Sequence, residues 1–224
     1  MQKVIGFLAE LKENNNREWF NNNRARYEES RDKMLFMTEL LNAELSKFDP
    51  NIPIMNPKDC LFRIFRDVRF SNDKRPYKTN MGSYIAKGGR KSIQAGYYFH
   101  FEPGRCFVGG GIYMPQSEPL KVIRTAIYEA PEEFIQIIED KSFRNYYPEI
   151  FGEKLKIAPK NFPKDFEHIA LLRYKSYSFS HHIEDEVITG SGFVEYALSA
   201  FKELFKLNRF LNTALEKMKL LAAS

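Results

Sequence analysis

The segment FRIFRDVRFSNDKRPYKTN, Phe62 to Asn80, holds the densest set of groups able to grip an anion. Arg63, Arg66, Arg69, Lys74, Arg75 and Lys78 recur in it, and only Asp67 and Asp73 oppose them. Arginine outnumbers lysine, and a planar guanidinium matches a carboxylate or phosphate with two parallel hydrogen bonds. Ser71 and Thr79 add hydroxyl donors and Tyr77 adds a phenol. Read as a strand, the segment alternates. Phe62, Ile64, Arg66, Val68 and Phe70 share one face, while Arg63, Phe65, Asp67 and Arg69 take the other. Arg66 then stands among apolar neighbours, where an unpaired guanidinium is costly. It must meet an anion, either a carboxylate of the protein or a ligand. Asp67 or Asp73 would orient the arginines or serve as a base. An internal salt-bridge network tying strand to loop produces the same pattern.

The basic character is local. Between Arg63 and Lys91 nine basic residues face two acidic ones, a charge of +7 in a chain whose whole is +5, so the remainder is about −2. Such concentration is the form that an anion-binding surface takes, and a solvated charged loop is the plain alternative.

Three other features carry possible chemistry. Gly109, Gly110 and Gly111 lie in a strand-like run ahead of Tyr113, where glycines are tolerated if backbone or ligand approaches closely. Neither their spacing nor the absence of a following helix fits a known nucleotide loop. His100 alternates with Tyr98 and Glu102, and His181-His182 precede Glu184, Asp185 and Glu186. A metal on His100, Glu102 and one later histidine is conceivable, but adjacent strand histidines point to opposite faces, so no metal and no cofactor are expected. Cys60 and Cys106 are too few for a disulfide framework, and neither has a histidine near it in sequence. No Gly-x-Ser-x-Gly elbow exists, which leaves acyl transfer by a nucleophile without support.

The elements that must position these groups follow from periodicity. Residues 3–13 carry Val4, Phe7, Leu8 and Leu11 at helical spacing, stopped by Asn14-Asn15-Asn16. One of those asparagines can cap a second helix bearing Trp19 and Phe20. From about Arg24 to Phe48, Tyr27, Met34, Leu41 and Phe48 recur every seven residues, a long amphipathic helix ended by Asp49-Pro50. Strands are expected at 60–70, 83–87, 94–103 and 105–114, the last two joined as a hairpin by Pro103-Gly104. Helices follow at 118–129 and 131–140, then an irregular stretch at 142–166, a short helix near 167–173 and the strand YSFSHHI. The final helix, about 193–218, sets Ala197, Leu204, Leu211 and Met218 beside Phe193, Ala200, Leu207 and Ala214. The fold expected is α+β, a mostly antiparallel central sheet flanked by long amphipathic N- and C-terminal helices, in one domain over 1–224.

At 224 residues the chain can bury roughly 70–75% of its unfolded surface, which needs no metal or disulfide staple. Aromatics at 15% make disorder a poor description. No apolar run reaches the roughly 18 residues of a membrane span, and MQKVIGFLAELKENNN is no signal peptide, so a cytoplasmic protein is expected.

These residues resemble a bacterial and fungal family of conserved hypothetical proteins defined by a domain of unknown function. Phe7, Leu8, Leu11, Asn14, Asn15, Trp19 and Phe20 match its opening helical segment. Phe62 through Thr79 match its motif Phe-Arg-Ile-x-Arg-Asp-x-Arg-Phe-Ser-x-Asp-Lys-x-Pro-Tyr-Lys-Thr without a break. Gly96-Tyr97-Tyr98, the Gly-Gly-Gly-x-Tyr-x-Pro run at 109–115 and Leu-Lys-x-Ala-Pro-Lys at 155–160 follow in family order. Asn161 stands where the family pattern has glycine. The resemblance implies a single domain and supplies no catalytic residue.

The leading expectation is a site for a phosphorylated or carboxylated small molecule, with an enzyme site as one form it can take. Its residues are Arg63, Arg66, Asp67, Arg69, Ser71, Asp73, Lys74, Tyr77, Lys78 and Thr79, with Gly109, Gly110, Gly111 and Tyr113 allowing close approach. A second reading is nucleic-acid binding by the same basic stretch, with Phe65, Tyr77, Tyr84 and Tyr97 available for stacking; no known nucleic-acid motif accompanies it. A third is an interaction protein whose arginine network is structural.

Overall fold

The computed structural model describes the backbone of residues 1–223 and the side chains of helix residues through Lys217, so Met218 of the expected final stripe lies outside the described side chains. Helices α1 (Gln2–Glu13), α2 (Arg17–Asn22), α3 (Arg24–Phe48) and α4 (Pro57–Cys60) precede β1 (Met81–Ile85). A 3₁₀ turn at Gly89–Lys91 leads to β2 (Gly96–Phe101) and β3 (Phe107–Ile112). Then come α5 (Ser117–Glu129), α6 (Pro131–Ile138), α7 (Lys141–Tyr146), α8 (Ile169–Leu172), β4 (Tyr177–His182), α9 (Asp185–Thr189) and α10 (Phe193–Ala223). The strands form one antiparallel sheet in the order β1-β2-β3-β4, and the class is α+β. No described helix is long and apolar enough to cross a membrane.

Most elements form where periodicity places them. Asn16 caps α2, its side chain accepting from Trp19 N at 2.9 Å. Gly104 adopts φ +72° in the β2–β3 turn, and Pro131 opens α6. Two expectations need correction. The stretch 142–166 is not wholly irregular, because Asp140 caps α7 by accepting from Ser142 N and Phe143 N. The stretch 60–70 is not a strand: its first residue ends α4, and only Leu61 and Phe65 make isolated antiparallel bridges, to Ser83 and Tyr77. Apolar β-formers drew that expectation, but the chain turns back on itself within the arginine segment instead of pairing along its length.

The chain separates into two compact units, the first comprising Met1–Lys91, Tyr98–Val108 and His182–Ser199. Its core holds Phe7, Leu8, Phe20, Met34, Leu41, Phe99 and Phe101, all buried. Thr38 in α3 is buried yet satisfied, donating to Met34 O and pairing hydroxyl to hydroxyl with Ser83 of β1. The second unit comprises Ser92–Tyr97, Gly109–His181 and the described chain from Ala200 onward. Phe201, Leu204, Leu207, Leu211 and Leu215 of α10 are fully buried there, as are Tyr97 and Tyr177.

Candidate anion-binding site

The arginine segment is held at its root by the first unit. The Tyr77 ring stacks on Phe20 with centroids 3.9 Å apart and planes at 12°. Asn15 clamps the Tyr77 backbone, donating to its carbonyl at 3.0 Å and accepting from its N–H at 3.1 Å. Arg66 N donates to Pro76 O and Lys78 N to Ile64 O, which closes a loop of residues 67–75. Phe62 N donates to Gly82 O and so joins the root to β1.

Within the loop each carboxylate is engaged. Asp67 receives Nε and Nη2 of Arg69 at 3.0 and 2.7 Å. Asp73 receives the same two atoms of Arg75 at 3.0 and 2.7 Å, and Arg66 Nη1 at 2.6 Å. Arg66 also donates to Arg75 O and to Ser71 Oγ. The Arg75 side chain, then its backbone N–H, then Arg66 hold Asp73 far below the ordinary carboxylate range. Arg69 does the same, less strongly, for Asp67. The anion that Arg66 requires is therefore a protein carboxylate. Lys74 Nζ donates to Val68 O at 3.1 Å and pairs with no carboxylate among the described residues.

Two cations at the root are not spent this way. Arg63 and Lys78 make no ion pair and no side-chain hydrogen bond among the described residues. Lys78 Nζ lies 5.7 Å from the Phe62 ring centroid, and its ammonium is lowered, first by burial and then by Arg63. Lys78, half-buried beside Arg63, has no ion-pair partner among the described residues, and Arg63 reaches Asp67 only from beyond ion-pair distance, adding to the lowering of that carboxyl.

Beside them β2 presents a hydrogen-bonded row. Tyr98 OH lies 2.9 Å from His100 Nδ1, and His100 Nε2 lies 3.4 Å from Glu102 Oε2. Thr79 Oγ1 donates to Glu102 Oε1 at 3.3 Å, so its hydroxyl serves the row. With Glu102 ionised, a proton on Nε2 satisfies both partners and leaves Nδ1 to accept the tyrosine O–H. Burial, and less strongly Arg105 and Lys78, hold the imidazole neutral against the pull of Glu102. The ring stacks on Phe107 at 4.6 Å. Tyr98 OH fills the space where a Cβ at residue 82 would stand, which makes Gly82 a requirement of the row. Phe62, Tyr98, His100, Glu102 and Arg105 were not among the expected site residues, although alternation along β2 already set Tyr98, His100 and Glu102 on one face.

The other expected residues lie elsewhere. Gly109, Gly110, Gly111 and Tyr113 belong to the second unit. A Cβ at Gly109 would meet Phe179 O, at Gly110 Gly96 O, and at Gly111 Tyr177 O, so backbone fills the space beside each. Gly111 also has φ +87°. Tyr113 is exposed, its ring 6.0 Å from that of Phe151. Of the rings expected to stack on bases, Tyr77 is 5% and Tyr97 0% exposed, a correction that follows from their places in the core. Phe65 leans on Phe20 and Tyr77.

Among the described residues no three His, Cys, Asp or Glu side chains are grouped to hold a metal. His181 Nδ1 faces Tyr146 O at 3.0 Å and His182 Nε2 faces Glu184 at 3.3 Å. Both cysteines are free and buried, their thiols pushed up to about 11 at Cys60 and about 12 at Cys106, chiefly by burial. Neither is poised as a thiolate nucleophile.

No curated protein and no solved structure matches the chain. A family model described as conserved hypothetical protein (DUF2461) matches residues 3–210, and the chain belongs to that family.

Proposed function

We propose that the protein binds a small phosphorylated or carboxylated anion at the root of the arginine loop, between Arg63 and Lys78. The observation that carries this reading is the missing counter-ion. Every loop carboxylate is paired with Arg66, Arg69 or Arg75, whereas the half-buried Lys78 makes no ion pair among the described residues and Arg63 acts on Asp67 only from beyond ion-pair distance. A partly desolvated cation beside another cation is unfavourable until an anion enters, and low local dielectric then strengthens the attraction. Phe62 walls the ammonium, and the Tyr98–His100–Glu102 row offers a neutral imidazole whose protonation a bound anion would favour. The loop arginines build the site without gripping the ligand.

The test is a titration with inorganic phosphate at constant ionic strength, read as a shift in melting temperature and in the ammonium resonance of Lys78. Phosphate should stabilise the parent and raise the Lys78 pKa. Lys78→Ala with Arg63→Ala should remove the stabilisation, while Arg69→Ala, whose side chain pairs with Asp67, should retain it. Equal phosphate stabilisation in the double variant, or none in the parent, overturns the reading.

A further inference from the structure

The same loop carries a feature that small-anion binding does not use. Phe70 is 96% exposed, the highest value among the exposed large hydrophobic side chains. Its one described ring contact is Arg69, whose guanidinium carbon lies 5.8 Å from the ring centroid, and the opposite face is open. Burying a phenylalanine is favourable, so its exposure here is a cost that packing within this chain does not recover.

The loop beneath the ring is braced. The Arg69–Asp67 and Arg75–Asp73 forks, the Arg66–Asp73 pair and the Lys74–Val68 bond fix the backbone on both sides of residue 70. Such bracing lowers the ordering cost of any contact the ring makes. Residues 63–78 hold six basic and two acidic side chains, so the surroundings of Phe70 stay positive after both acids are paired. Arg69 commits Nε and Nη2 to Asp67 and keeps Nη1 free, and it remains 76% exposed. Arg75 does the same against Asp73 and is 55% exposed.

We propose that loop 67–75 docks single-stranded nucleic acid, with a base stacked on the open face of Phe70 and phosphates on Arg69, Lys74 and Arg75. Charge complementarity selects a polyanion, and the flat open ring selects one that presents flat faces between its charges. A lipid surface fits less well, because Ser71 and Asn72 follow Phe70 and leave no continuous apolar patch to insert. The stacking ring is thus Phe70 and not the buried Tyr77 or Tyr97.

The experiment is anisotropy of a labelled mixed-sequence single-stranded oligonucleotide, titrated with the full chain at about 50 and 200 mM salt. The parent should bind at low salt and weaken steeply as salt rises. Phe70→Ala should weaken binding about 5- to 150-fold at either salt with the salt slope unchanged, since only stacking is lost. Phe70→Trp should bind as the parent does, and Lys74→Ala should flatten the slope. Residues 70 and 74 are both exposed, so these variants keep the fold.

No binding at low salt overturns the proposal, as does equal affinity in Phe70→Ala, which would reduce the loop to a generic polyanion surface. Stronger Phe70-dependent binding to phosphatidylserine vesicles than to the oligonucleotide would replace nucleic acid with a membrane. Phosphate stabilisation through Lys78 should survive in Phe70→Ala, so this proposal and the small-anion reading fail separately.

Discussion

The second unit contains a polar network that differs in kind from the arginine loop of the first. Asn208 accepts from Gly111 N at 3.1 Å and donates to Gly96 O at 3.2 Å. Asn212 accepts from Ala95 N at 2.7 Å and donates to Ala95 O at 3.1 Å. Both side chains are at least 95% buried, uncharged and hydrogen-bonded to backbone groups. The arginine loop is charged and half-exposed, and its pairs close within a few residues. Buried amides left unpaired would cost about 1–3 kcal/mol each, so the asparagines hold the fold together. Exposed ion pairs stabilise little, so the loop's pairs chiefly set the direction of side chains. The difference separates buried polar groups that hold the fold from exposed charged groups that stabilise it little.

Removing an asparagine tests that separation most severely. Asn212→Ala strands the N–H and C=O of Ala95 and should cost about 2–4 kcal/mol in urea unfolding. A loss under 0.5 kcal/mol would erase the distinction drawn between the two networks.

Acid should act on the first unit and leave the amide network silent. The folded pKa of His100 is lowered, so below about 6.5 the unfolded chain binds the proton first. The stability that His100 contributes is present above about 6.5 and falls as pH drops toward the depressed folded value. Glu102, Tyr98, Lys78 and Arg105 are the polar and charged groups around it. Urea midpoints between pH 7.5 and 5.5 should show this loss in the parent and a smaller one in His100→Gln; parallel curves would refute it.

The smallest effect on global stability belongs to Asp73→Asn. It loosens Arg66 and Arg75 together, yet both are partly exposed, so the melting temperature should move by no more than about 2 °C. Amide exchange across residues 67–75 should instead accelerate. A large fall in melting temperature with unchanged exchange would place the loop among the structural networks after all.

Much of the architecture was legible in the residues. The α3 stripe of Tyr27, Met34 and Leu41, the Asn16 cap, the Pro103-Gly104 turn and the long final helix all form as spacing requires. Asn161 adopts φ +72°, a left-handed backbone that asparagine tolerates better than most residues. Local signals of this kind suffice because periodicity, capping and turn chemistry act within a few residues.

The candidate site is legible in sequence only as a region of clustered charge, without the pairing of its residues. Composition marked Arg63 to Thr79 as anion-handling, but strand alternation seated Arg66 on an apolar face, whereas the chain turns back and delivers Asp73 to it. Nothing in the sequence separates Arg63 and Lys78 from the other cations; only the fold shows which acids reach which bases. Nor does local sequence reveal that Asn15 clamps Tyr77, 62 residues away, or that the three glycines make room for the backbone at Phe179, Gly96 and Tyr177. Sequence by itself determined the family, the helices, the hairpin and the place where positive charge collects, since these depend on residue type and short-range spacing. Tertiary structure decided which charges are spent and which remain open, because pairing is a matter of distances between side chains that the chain brings together only on folding.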